Sequence, residues 1–174
     1  MTLRPDRWIR FLVAAASLSG ACVAEVMPGT TLELSLPVWN GFESVADAMQ
    51  PSCGSLECHG LPQRNLRLFG ERGLRLNAAD TSAEGATNND EYEADYWAVV
   101  ALEPELLSAV LQDGGSDPER LILIRKGRGT TRHKGGSLMR PNDNLDQCLV
   151  EWLKGNILTD ACKMAAKLTA PAPP

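Results

Sequence analysis

Cys53, Cys58 and His59 stand in the segment Cys53-Gly54-Ser55-Leu56-Glu57-Cys58-His59-Gly60, a C-x4-C-H-G pattern. Two thiols and an imidazole at that spacing suit three chemistries. In the first, each thiol bonds a haem vinyl group and the histidine directly after the second cysteine coordinates the iron from the proximal side. The usual spacing for that attachment is C-x2-C-H. The vinyl positions are fixed, so two extra residues must loop out, and Gly54 and Ser55 can supply the slack. In the second, Cys53 and Cys58 form a plain disulfide and His59 is an ordinary surface residue. In the third, both thiolates and His59 join a zinc site, but His133 is the only other histidine and no second C-x2-C exists.

The redox compartment bears on that choice. Arg4, Arg7 and Arg10 precede an uncharged stretch from Phe11 to Ala24, a positive n-region followed by a short apolar h-region. Residues 1–21 are therefore expected to be a signal peptide. Cleavage can follow Ser19-Gly20-Ala21 or Cys22-Val23-Ala24. Alternatively, Ala21-Cys22 forms a junction like that of bacterial lipoproteins, with Cys22 lipidated, although Leu18 lies one place further upstream than that pattern prefers. Removing residues 1–21 moves the formal net charge from −5 to −7. Export means oxidising surroundings, in which disulfides persist. Cys148 and Cys162 are then expected to pair, and closing their 15-residue loop is worth ~3 kcal/mol in the loop-entropy model.

Composition removes several classes. Apolar residues make up 44% and charged residues 22%, ordinary globular values that exclude wholesale disorder. With 17 Lys+Arg against 22 Asp+Glu the chain is acidic, which argues against a general nucleic-acid binder. No apolar run reaches the ~18–20 residues that span a bilayer. Serine-nucleophile contexts, phosphate loops and H-E-x-x-H are absent from the sequence. Charge is also segregated. Residues 80–119 hold eleven acidic residues and no basic one, and residues 120–140 hold seven basic residues and no acidic one. Such runs are either solvated loops or a docking surface for a charged partner.

The elements that must position these residues follow from periodicity. Residues 22–41 read as a linker. Ser44 is placed as an N-cap of a short helix Val45–Gln50 that Pro51 ends. Residues 61–78 are expected to be extended and looped, and Asp80–Asp95 to be an acidic surface loop. Tyr96–Leu111 is helix-permissive, with Pro104 opening its second half. After Gly114-Gly115, Asp117-Pro118 starts a short helix through Leu121–Ile124, followed by a basic glycine-rich loop, Gly127–Gly136. Leu145, Cys148, Leu149, Trp152 and Leu153 follow i, i+3, i+4, i+7 and i+8, capped at Asn144 and stopped by Gly155. Residues 164–174 are read as a disordered Ala/Pro tail.

Two stretches together resemble the c-type cytochromes. Phe42 through Gly60, a short helix running into C…C-H-G, is similar to the opening of class I cytochromes c, a family that includes longer cysteine spacings. Met139-Arg140-Pro141 through Leu145 and Leu153 is similar to their ending, a distal methionine loop and a terminal helix. Asp117-Pro118-Glu119-Arg120-Leu121 and His133-Lys134-Gly135-Gly136 look like exported cytochrome c-domain proteins of planctomycetes and myxobacteria. The resemblance implies a mainly α domain over residues 42–163, with long loops around one covalently bound haem c and its iron. Cys53 and Cys58 would carry the thioethers and His59 would be the proximal ligand. Met139 is favoured as distal ligand and His133 is the alternative.

The implied activity is single-electron transfer between redox proteins of the periplasm or outer membrane, not enzyme catalysis, with minor peroxidase activity left open. No nucleic acid is implied, and membrane contact only through a lipid on Cys22. The competing readings are a secreted binding module stapled by Cys53–Cys58 and Cys148–Cys162, and a haem sensor or peroxidase with an open distal site.

Overall fold

Phe42, Val45, Ala46 and Met49 recur at i, i+3, i+4 and i+7, and they form the buried stripe of the first helix, α1 (Phe42–Cys53). This helix starts earlier than the Ser44 cap predicts. The chain turns at Gly41, whose φ of 87° glycine adopts without strain. Pro51 does not end the helix but sits in its last turn, where it removes a single backbone bond. The Gly54 N–H closes the end by donating to the Gln50 carbonyl at 3.0 Å. The computed structural model describes residues 33–81 and 85–167. The expected signal segment 1–21, the Cys22 junction and residues 168–174 lie outside the described residues.

Five further helices follow: α2 (Asn89–Val100), α3 (Pro104–Gln112), α4 (Ile122–Gly127), α5 (Asn144–Leu153) and α6 (Thr159–Ala166). A single 3₁₀ turn, Pro118–Arg120, precedes α4 where the sequence predicts one continuous short helix. No strand occurs among the described residues beyond an isolated Phe69–Leu74 bridge, so the chain is mainly α with long loops. Helices α1, α5 and α6 pack on one another, and α2 packs on α1. Phe42 of α1 meets Trp152 of α5 with ring centroids 5.1 Å apart. None of the described helices is long and apolar enough to cross a membrane.

The segment 33–40, which reads as linker, runs extended and is tied to three helices. Tyr96 Oη donates to the Pro37 carbonyl at 2.7 Å, and Trp152 Nε1 donates to the Val38 carbonyl at 2.9 Å. The Ser35 N–H donates to Ser108 Oγ at 2.8 Å. Two buried aromatic polar groups are thereby satisfied by backbone, which binds the strap to the core.

Helix α6 departs from the expected tail. Cys162 and Ala165 are buried on its inner face, and Cys148 and Cys162 are joined in a disulfide with Cα atoms 4.9 Å apart. The bridge staples α6 to α5, so the last described helix is tied to the core. Replacing both cysteines by alanine is expected to lower the unfolding free energy by about 3 kcal/mol. A urea titration of the oxidised protein checks this, and an unchanged midpoint would reject the staple.

The acidic stretch departs too. Residues 80, 81 and 85–88 are loop, but Asn89 opens α2, and Glu91 and Asp95 are fully buried. Asn88 and Glu91 form a reciprocal capping box: Asn88 Oδ1 accepts the Glu91 N–H, and Glu91 Oε2 accepts the Asn88 N–H, both at 3.0 Å. The inward stripe of α2 mixes Glu91 and Asp95 with Tyr96, Val99 and Val100. Carboxylates on the buried face erase the hydrophobic period, so the helix is hidden from periodicity.

Candidate functional site

Helix α1 delivers Cys53 at its last residue, and the next seven residues form a tight turn. The Ser55 carbonyl accepts from both Cys58 N–H and Gly60 N–H at 2.9 Å, and His59 N–H donates to the Cys53 carbonyl at 2.9 Å. Backbone packs on backbone here: a Cβ on Gly60 or on Gly73 would collide with the Gly54 carbonyl oxygen. Arg64 Nε caps the segment by donating to the Cys58 carbonyl at 3.1 Å.

Cys53 and Cys58 are both half-buried and are not bridged to each other. Burial, with Cys58 as a further cause, pushes the Cys53 thiol up to about 12. A thiol held protonated is a poor metal-thiolate ligand and a poor exchange nucleophile. Among the described residues no three His, Cys, Asp or Glu side chains converge on a point that could hold a metal ion.

His59 is held from one side only. Its Nδ1 lies 3.0 Å from the Leu66 carbonyl oxygen. That bond fixes the tautomer with hydrogen on Nδ1 and leaves the Nε2 lone pair free, the arrangement found in metal-ligating histidines. Burial holds the imidazole below its usual pKa. The nearby His133, Arg64 and Lys126 push the same way, against the Leu66 hydrogen bond. A neutral ring is the ligating form.

The loop that supplies the Leu66 carbonyl is anchored by the two buried carboxylates. The Phe69 N–H donates to Asp95 Oδ1 at 2.6 Å, and Gln50 Nε2 of α1 donates to the Phe69 carbonyl at 2.6 Å. Further along, Arg75 Nε donates to Glu91 Oε1 at 2.8 Å, and Leu76 N–H donates to the same oxygen at 3.1 Å. Gln50, Asp95, Arg75, Glu91 and Leu66 are thus the positioning residues that the sequence analysis does not name. The N-x-x-E pattern at residues 88–91 is the one sequence signal that points to them.

His133 comes close to His59. The two imidazole centroids are 6.1 Å apart with 22° between the ring planes. His133 Nδ1 lies 3.2 Å from the Gly136 carbonyl, so its Nε2 is also free. A metal–imidazole bond of about 2 Å on each side, plus about 1 Å from nitrogen to ring centre, separates two axial imidazole centroids by about 6 Å. The centroid separation matches that distance, and two unbridged thiols lie on the turn that ends at His59. Met139 is buried in the core at 2% exposure. Its thioether lies over Gly127, where an added Cβ would come within 2.6 Å of Met139 Cε and 3.0 Å of Sδ.

Asp95 gives the site a pH signature. Burial first, and then the charges of Glu91 and Asp47, push its carboxyl up to about 8 against the bonds from Phe69 and Gln50. An acid whose pKa is higher folded than unfolded binds more protons in the folded state between the two values. Stability should therefore fall as pH rises from about 4 to about 8. Each tenfold difference in proton affinity is worth about 1.4 kcal/mol. Denaturation midpoints across that window should show the decline in the wild type and a flatter profile in Asp95→Asn. Parallel profiles would reject Asp95 as the source.

Compared with known proteins, the chain matches no family model, no curated protein and no solved structure.

Proposed function

We propose that the chain is an exported monohaem c-type cytochrome that carries single electrons between redox partners of the cell envelope. The observation that carries this reading is the approach of the His59 and His133 rings, centroids 6.1 Å apart, beside a turn bearing two unbridged thiols. Haem supplies the one-electron chemistry when bound. Cys53 and Cys58 hold the macrocycle through thioethers, and His59 holds the iron from the proximal side. The Leu66 carbonyl keeps the His59 ring in its ligating tautomer, and the Asp95 and Glu91 anchors keep Leu66 in register.

For the distal side the proposal is His133 in preference to Met139. The supporting observations are the His59–His133 separation and the burial of the Met139 thioether against Gly127. An ε-nitrogen ligand lowers the potential relative to a thioether, so this choice describes a carrier of lower potential. The chain's own residues are not arranged for acid–base catalysis, since both histidines are assigned to the metal.

The test is direct. Protein exported with a cytochrome c maturation system should be red, and its band should retain haem-linked peroxidase staining on a denaturing gel. A colourless product under those conditions would sink the proposal.

A further inference from the structure

The segment 65–69 alternates as an extended chain does: Leu66 and Leu68 are buried, while Asn65 and Arg67 are exposed. Asn65, Arg67 and Phe69 form one wall of a cavity of about 590 Å³. The other wall is the outward face of α2, where Ala94, Ala98 and the capping residue Ala101 follow i, i+4 and i+7. Asp95 fastens the two walls together, since its Oδ1 accepts the Phe69 N–H at 2.6 Å. Cys53, Cys58, His59, His133 and Met139 do not line this cavity, so it is separate from the site described above.

The lining is apolar apart from one wall. Leu76 and Leu102 extend the alanine ridge, and Leu76 keeps 45% of its surface exposed. Arg67 is the single charged residue of the lining, and it forms no ion pair with any described residue. Small-molecule sites fall in the range of about 300–1,000 Å³ and combine apolar walls with a few placed polar groups. An unpaired guanidinium beside a primary amide selects an anion, and its planar donor fork matches a carboxylate best. The alanine ridge leaves width for a hydrocarbon body, whereas a small hydrophilic anion would leave that wall bare to water.

We propose that this cavity binds an apolar carboxylate, with its head group on Arg67 and Asn65 and its hydrocarbon body along the Ala94–Ala98–Ala101 ridge. Charge complementarity is local to the cavity. Arg72 is also exposed and also lacks an ion partner among the described residues, but it does not line the cavity and takes no part. The proposal does not depend on the cytochrome reading, and it holds for a red or a colourless protein alike.

The experiment titrates the full chain with decanoate, and separately with decanol, which has the same chain length and no charge. Both are kept below the concentrations at which they self-associate. Calorimetry gives affinity and stoichiometry, and the alanine methyl signals in NMR spectra report the ridge. Decanoate should bind saturably at one site and shift the Ala94 and Ala98 methyls. R67E should weaken decanoate at least about tenfold, the range expected for losing a hydrogen bond to a charged group. R72E makes the same change of charge outside the cavity and should leave the affinity within about twofold of the wild type. A98F fills the ridge and should abolish binding of both ligands, with circular dichroism confirming that the helices persist.

Absence of saturable binding would overturn the proposal, as would equal affinity of wild type and R67E for decanoate. Equal weakening by R67E and R72E would overturn it in favour of a net-charge effect. Decanol binding as tightly as decanoate would overturn the carboxylate as the recognised group. Undiminished binding to a folded A98F would place the ligand elsewhere and overturn the cavity.

Discussion

Replacing Cys53 and Cys58 together by serine should abolish covalent haem, with staining on denaturing gels falling from full to background. A thioether forms when a thiol sulfur bonds one vinyl carbon and its hydrogen goes to the other; a serine hydroxyl does not make that addition under the same conditions. Single substitutions should each leave one link and a band of intermediate staining. His59 should then be tested apart from the links. His59→Ala removes the imidazole but not the thiols, so haem that is still attached should lose its proximal nitrogen and change its absorption spectrum. If the double serine variant stains as strongly as the wild type, the C-x4-C-H segment does not hold haem. If the wild type is colourless and mapping without reduction joins Cys53 to Cys58, the secreted disulfide module becomes the better account.

His133→Ala should produce the second largest effect, a haem with an open distal position. The near-parallel imidazoles 6.1 Å apart motivate this expectation. The variant should bind small exogenous ligands such as imidazole or carbon monoxide, which the wild type excludes, and its spectrum should return to the wild-type form on adding imidazole. Met139→Ala should leave the spectrum unchanged and instead lower stability by roughly 2–5 kcal/mol, because a buried methionine leaves a cavity. The reverse pattern, an open site in Met139→Ala and none in His133→Ala, would return the distal role to the thioether and raise the expected potential. If neither substitution alters the spectrum, no side chain fills that position, and haem sensing or peroxide chemistry would displace electron transfer.

Some of this was readable from residues alone because its cause is local. The C-x4-C-H-G segment brings two thiols and an imidazole onto one turn, since a histidine next to a thiol is a property of the chain and not of the fold. The stripe Leu145, Cys148, Leu149, Trp152 and Leu153 has a strict helical period, and α5 follows it almost to the residue, although Asp143 takes the cap predicted at Asn144. The Cys148–Cys162 pair was legible for the same kind of reason: of five cysteines, Cys22 lies at the expected export junction and two share one turn, which leaves two.

The rest was decided by contacts between distant residues. Helix α2 could not be seen because Glu91 and Asp95 lie on its buried face, and they are tolerable there only because Arg75, Leu76 and Phe69 arrive from a loop some twenty residues earlier to neutralise or hydrogen-bond them. Helix α6 was hidden because only Cys162 and Ala165 lie on its buried face, too few to print a helical period, and the bridge to α5 fixes its place. Spacing from the terminal helix favours Met139 as distal ligand, but spacing along a chain does not say which side chain points where in a loop containing several glycines. The proposal of His133 rests instead on folded packing, with Met139 over Gly127 and the His133 and His59 ring centroids 6.1 Å apart.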